Sequence, residues 1–271
     1  MYKRQVWNKP SIQQPNIPKQ VNFKDVLLSL IESLNLCSRE YKSRMYDGEV
    51  KGLSVVKPFV GKKSDVPSDA TVLRIDYESN RGAILAEGIN PWYSDLDTYD
   101  MTASVIDEAV RKIISVGGDL KRIAILDNFC WPDPVESEKT PDGAYKLAQL
   151  VRSCKALYDY TTLYKTPAIS GKDSCKNDST RGGKKISIPP TLLISSIGQI
   201  NDVQKSVTVP FKSSGYLIYI IGKTKDELGA SAYYRLLAEE QRSPESYGGV
   251  VPKVDGDDAL NIYKAMNKAT E

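Results

Sequence analysis

The apolar residues of this 271-residue chain fall in short runs, and this restricts its fold more than any other feature. The longest runs, such as 191–194 and 217–221, have the length of a strand and are far too short to span a bilayer. Between them lie longer stretches whose apolar residues recur every three or four positions, as on one face of a helix. This alternation predicts helices over 23–36, 98–116, 142–164, 231–240 and 259–269. Strands are expected over 53–60, 71–77, 82–87, 122–126, 168–170, 186–188, 191–200 and 215–222. Thr98 or Asp100 can cap the second helix, and Gly117-Gly118 stops it. Its stripe is Val105, Ile106, Ala109, Ile113 and Val116; that of the 142–164 helix includes Ala148, Cys154, Leu157 and Tyr158. Strands interspersed with helices, several in antiparallel-looking succession, define an α/β class with a mixed, α+β-like sheet.

Three segments follow from composition. Residues 1–21 carry Pro10, Pro15 and Pro18 without apolar periodicity and read as an extended lead-in or linker. Residues 22–210 form the main domain. The pattern breaks at 207–211, and 211–271 supplies one strand and two helices, too little to close a core. That remainder is expected to be the start of a domain completed elsewhere.

Composition narrows the chemistry. There is no histidine, which excludes Ser-His and Cys-His pairs, zincin motifs and imidazole acid–base catalysis within the chain. Cys37, Cys130, Cys154 and Cys175 are scattered without a C-x-x-C pair, as expected of four reduced, mostly buried thiols in a cytoplasmic protein. With 37 basic and 34 acidic residues, the balance gives no reason to expect nucleic acid. The N-terminus lacks the apolar stretch of a signal peptide, and no membrane association is expected.

Four polar stretches can carry function. Residues 43–50 (SRMYDGEV) follow the first helix and also read as a charged turn. Asp127-Asn128 closes the predicted strand 122–126. Its hard oxygens suit Mg²⁺, with Asn128 as the metal ligand, or a ribose hydroxyl; the same pair can form an Asx turn. Pro167 to Ser174 runs a strand into a glycine turn. There Gly171 permits close backbone approach, Lys172 can neutralise phosphate, Ser174 can donate a hydrogen bond and Asp173 can hold Mg²⁺. It is no Walker A loop, since Thr166 stands where the first glycine belongs. Glu87, Asp95, Asp97 and Asp100 gather before a helix N-terminus, where capping accounts for them.

Read together, LDNFCWPDP at 126–134, the long helix, and PAISGKDSCKND at 167–178 resemble the synthetase subunit of phosphoribosylformylglycinamidine synthase. YDGEVKG at 46–52 and VKPFVG at 56–61 are similar to the opening of its second synthetase-like repeat, and IPPTLLISSIG at 188–198 to the strand leaving that domain. The resemblance implies an aminoimidazole-ribonucleotide-synthetase-like N-terminal domain over 22–210 and an incomplete C-terminal α/β domain over 211–271. It implies an ATP-dependent ligase of purine biosynthesis. ATP phosphorylates the amide oxygen of formylglycinamide ribonucleotide, and ammonia from a glutaminase subunit or domain displaces phosphate to give the amidine. It also implies ATP and Mg²⁺ as cofactors, the first synthetase repeat as pairing partner (with a homodimer as stand-in) and a cytoplasmic setting. Gly171 and Lys172 then fall at ATP-binding positions, Lys172 where short-form members carry a Mg²⁺-associated Asn. Ser174 matches the serine that contacts substrate phosphate. The family's nucleotide-binding Asp falls at Ile125, and Asp127 is its nearest substitute. No catalytic residue is expected in this chain, because the family's histidines belong to the first repeat. Two other readings are a degenerate repeat serving as an interaction domain and a different ATP enzyme of the superfamily, such as a thiamine-phosphate or selenide kinase.

Overall fold

In the computed structural model, residues 5–19, 21–45 and 49–270 are described. The motif at 46–52 therefore lies partly outside them. In chain order the elements are α1 (Phe23–Glu32), α2 (Glu40–Arg44), β1 (Ser54–Val56), β2 (Phe59–Val60), β3 (Val66–Pro67), β4 (Thr71–Arg74) and β5 (Gly82–Ile89). Next come α3 (Thr98–Ser115), β6 (Ile123–Cys130), α4 (Gly143–Tyr164), β7 (Ala168–Ser174), β8 (Ser179–Arg181), β9 (Lys184–Ile186) and β10 (Thr191–Ile200). Helices α5 (Ala232–Glu240) and α6 (Gly256–Thr270) close the sequence.

A mixed sheet of order β1-β4-β5-β10-β6-β7 organises the molecule. Neighbours are antiparallel except β6 and β7, which run parallel. The period-two alternation of β5 and β10 sends Ile84, Ala86, Leu192 and Ile194 under the helices. It leaves Leu85, Ile89 and Ile197 on an open, apolar face. Helix α3 lies on the covered face with its whole predicted stripe buried. Asp97, rather than Thr98 or Asp100, caps it by accepting from the Tyr99 N–H at 2.8 Å. The approach is so close that a Cβ on Gly88 would sit 2.1 Å from the Val105 carbonyl oxygen. Gly88→Ala is therefore expected to cost about 1–3 kcal/mol, the usual penalty of forced overpacking. A denaturant midpoint unchanged at constant m-value would show that helix and strand can part freely.

Helix α4 corrects the predicted stripe. Cys154 and Tyr158 are exposed, and the buried face carries Gln149, Ser153 and Ala156 instead. Its contact with α3 is sealed by polar groups. Thr98 Oγ1 donates to the Gln149 carbonyl at 2.7 Å, and the Thr102 and Ser153 hydroxyls bond at 2.6 Å. Short hydroxyl side chains permit a close crossing once their hydrogen bonds are satisfied, and periodicity of apolar residues cannot reveal such an interface.

Other expectations change as well. Helix α1 ends four residues early and buries none of its residues. Residues 215–222 form no strand, and Tyr216 to Ile221 lie exposed, because no strand is beside them to take their hydrogen bonds. The four cysteines are free, as expected, but none is buried. Tyr263 of α6 is buried in the main cluster between α3 and α4, while Ala230 and Val251 pack with Leu96 in a second, smaller cluster. Residues 5–19 contain no helix or strand and pack on the rest of the chain, with Pro15 buried and Trp7 stacked on Tyr145 at 5.6 Å.

Candidate functional site

The parallel pair β6–β7 carries the motif residues. Both strands run longer than expected, because each hydrogen-bonds the other as far as Cys130 and Ser174. Asp127-Asn128 is consequently mid-strand rather than in an Asx turn, and Gly171 to Ser174 is strand rather than a glycine turn. Extended backbone replaces the curled anion-binding turn, so phosphate contacts here come from side chains and from the unpaired N–H groups on the free edge of β7.

Pleating divides the predicted residues between two faces. Ile123, Ile125 and Phe129 are buried toward the helices. Asn128 alternates to the open face, beside its register partner Lys172, with Ser174 two positions further on. Lys172 Nζ donates to Ser174 Oγ, which leaves the serine hydroxyl proton free to be donated outward. Lys172 forms no ion pair with a described carboxylate. Asn128 Oδ1 is buried without a hydrogen-bond partner, an orphaned acceptor beside a cation and a hydroxyl.

Asp127 and Gly171 meet on the other face. A Cβ on Gly171 would lie 2.8 Å from Asp127 Oδ1, so the glycine makes room for that carboxylate. Burial raises the Asp127 pKa above the ordinary carboxylate range and the charge of Asp173 adds to it, while its own backbone N–H opposes both. Desolvation raises the Cys154 thiol of α4, and the charges of Asp173 and Asp127 add to it. Thus Asn128, Lys172 and Ser174 form one group, and Asp127 with Gly171 forms another across the sheet.

The fit to Mg²⁺ is poor on the open face. Asn128 offers one neutral oxygen, and its neighbour is an ammonium rather than a carboxylate. Among the described residues no group of three or more His, Cys, Asp or Glu side chains is placed to hold a metal ion. The acidic set near α3 is structural: Asp97 pairs with Arg152 at 2.5 Å, and Asp95 accepts from the Tyr247 hydroxyl at 2.8 Å. Glu87 points to the open face, and its carbonyl accepts from Lys112 Nζ at 3.0 Å.

A pinned hairpin borders the site and was not legible in the sequence. Asp178, just past β7, accepts from the Asp133 N–H at 3.1 Å and pairs with Lys185 of β9 at 3.0 Å. Burial works against its charge, yet these hydrogen bonds hold its carboxyl below the ordinary range. Lys185 also donates to Thr140 Oγ1 at 2.6 Å, and fully buried Trp131 donates from Nε1 to the Lys146 carbonyl at 3.1 Å. The loop 131–142 is thereby held against the hairpin at the end of the strand pair.

A mixed α/β domain with helices on one face and a polar strand pair opening on the other is the class that fold and site define. No protein-family model matches the chain. It is 33% identical over 257 residues to the phosphoribosylformylglycinamidine synthase subunit PurL of Methanocaldococcus jannaschii, covering 94% of this chain and 32% of that protein. With PurL of Alkaliphilus metalliredigens it shares 34% identity over 253 residues, covering 93% and 30%. The chain is PurL-like over nearly its whole length, and spans about a third of the length of these curated relatives. Among solved structures, PurLQS from Thermotoga maritima aligns with TM-score 0.46 and 26% identity over 76% of this chain and 28% of that one. T. maritima PurL complexed with AMPPCP gives TM-score 0.45 and 30% identity over 74% and 28%.

Proposed function

We propose that this chain supplies part of the nucleotide- and phosphate-binding surface of an ATP-dependent, carbon–nitrogen bond-forming ligase. The reaction converts formylglycinamide ribonucleotide to formylglycinamidine ribonucleotide in purine biosynthesis. The supporting observation is Lys172 and Ser174, a cation and a hydroxyl on the open face, with the buried, orphaned acceptor of Asn128 beside them. Phosphoryl transfer demands management of charge by fixed donors more than covalent chemistry, and this group can provide it. Ser174 takes the substrate phosphate and Lys172 the nucleotide phosphates. ATP contacts at both Lys172 and Asp127 require the nucleotide to follow the free edge of β7, where Gly171 has no side chain in the way. Mg²⁺ enters only as the counter-ion of ATP, since Asn128 with Lys172 beside it makes a poor metal site.

On this reading residues 22–210 are the N-terminal domain of a second synthetase repeat, and 211–271 begins its C-terminal domain. The open face around Leu85 and Ile89 then pairs with the first repeat, or with a second copy of this chain. A glutaminase subunit or domain delivers ammonia, and the setting is cytoplasmic. Among the described residues no helix is long and apolar enough to cross a membrane.

The degenerate-repeat reading has one observation in its favour. Lys172 and Asp173 lie on an edge strand, where charge also blunts edge-to-edge association. Calorimetric titration of ATP, with and without Mg²⁺, separates the two. Lys172→Ala/Ser174→Ala is expected to weaken ATP binding about ten- to a hundredfold, the worth of one or two charge-assisted hydrogen bonds. Equal affinity in the double variant would return Lys172 to the role of an edge guard.

A further inference from the structure

A second anion-binding character sits at the opposite end of the sheet. Where β5, β6 and β7 begin and β10 ends, a cavity of about 590 Å³ opens on the uncovered face. Arg81, Lys121, Arg122 and Lys165 line it, and no carboxylate does. Among the described residues none of these four side chains forms an ion pair. The nearby Asp119 is engaged elsewhere, its Oδ1 accepting from the Lys121 backbone N–H at 2.9 Å. Four cations converging on one concavity repel one another, and an anionic ligand would relieve that repulsion.

The rest of the lining defines what else the ligand carries. Ala83, Ala124 and Ile197 come from adjacent strands and present small, apolar surface between the cations. Gln199 adds an amide beside them. The volume falls within the range of small-molecule sites and suits a mononucleotide better than a bare ion.

Lys165 gives an independent sign. It ends α4 in the left-handed region at φ 57°, a position where glycine is usual and a Cβ is unfavourable. The helix dipole favours a cation there, but any lysine in the last turn would serve without the unfavourable backbone. A lysine at the left-handed position sets its ammonium on the cavity rim.

We propose that this cavity binds a phosphorylated ligand of mononucleotide size, with its phosphate among Arg81, Arg122, Lys121 and Lys165 and its apolar or planar part over Ala83, Ala124 and Ile197. The site is distinct from the Lys172–Ser174 group. Four positions along β6 separate Ala124 from Asn128, about 13 Å at strand rise.

The test uses the 271-residue chain carrying Lys172→Ala/Ser174→Ala, which silences the first group. AMP and inorganic phosphate are titrated separately by calorimetry, before and after adding Arg81→Gln/Arg122→Gln. Circular dichroism and the thermal midpoint monitor folding, and Lys165→Ala serves as a milder second variant. AMP should bind more tightly than phosphate and weaken about tenfold or more when the arginines are replaced, and less for Lys165→Ala. Binding of AMP no tighter than phosphate would overturn the ligand class. Absence of binding, or binding indifferent to all three substitutions in folded protein, would overturn the site.

Discussion

Asp107→Ala is expected to lower stability by about 2–5 kcal/mol, the cost of leaving two buried hydroxyl donors unsatisfied. Asp107 lies mid-helix in α3, 4% exposed. Its carboxylate accepts from the Tyr164 hydroxyl at 2.8 Å, the Tyr263 hydroxyl at 2.6 Å and Arg111 Nη2 at 2.5 Å. One carboxylate thereby joins α3, α4 and α6. Alanine would leave two phenol protons without acceptors and a guanidinium without its counter-charge. Chemical denaturation measures the loss, and proteolysis beyond residue 250 should report release of α6. A loss below about 1 kcal/mol would mean that α6 docks by apolar contact alone.

The same network fixes an alkaline limit. Burial and then the Asp107 charge push the Tyr164 and Tyr263 pKa values far above the ordinary tyrosine range. The sign follows from proton counts. Below about pH 10, near the unfolded tyrosine value, both states hold these protons and the contribution is complete. Above it the unfolded chain sheds protons that the folded chain keeps, so stability falls as pH rises. Tyr164→Phe/Tyr263→Phe should be less stable near neutrality and flatter above pH 10. An equally steep fall in that variant would place the alkaline sensitivity elsewhere.

The 271-residue chain assayed by itself is expected to make no formylglycinamidine ribonucleotide from ATP, formylglycinamide ribonucleotide and free ammonia. This follows from the proposed function. The chain spans about a third of its PurL relatives and holds no histidine for proton transfer. Lys172 and Ser174 stand on an open face with nothing described above them to exclude water. Phosphate binding survives in a partial site, whereas transition-state positioning requires every group to be held at once. Adding the remaining synthetase portion should restore turnover, and Lys172→Ala should then lower it. Turnover by the isolated chain above that of its Lys172→Ala variant would overturn both the division of labour and the absence of a catalytic residue here.

Much of the fold was legible because apolar period encodes it. The 18 residues of α3 and the 10 of β10 emerged nearly to their ends, since each buries a regular stripe. The motif residues were equally visible: Asp127, Asn128, Gly171, Lys172 and Ser174 do lie on neighbouring strands. Their division between two faces was not. Whether a residue pair ends a strand or continues it depends on a neighbour to hydrogen-bond with, and β6 and β7 continue because each is there for the other.

The amino-acid order alone thus determined the α/β class, the positions of the long elements and the PurL likeness, all written in local pattern and motif. Only the tertiary structure decided that Lys172 and Ser174 look away from Asp127. It alone gathered Arg81, Arg122 and Lys165, 84 residues apart at their extremes, around one cavity. It also tied Tyr164 and Tyr263 to Asp107 across 57 and 156 residues. The physical reason is the same in each case. Periodicity is a property of neighbours along the chain, while charge and hydrogen bonding act through space, between groups that meet only once the sheet has formed.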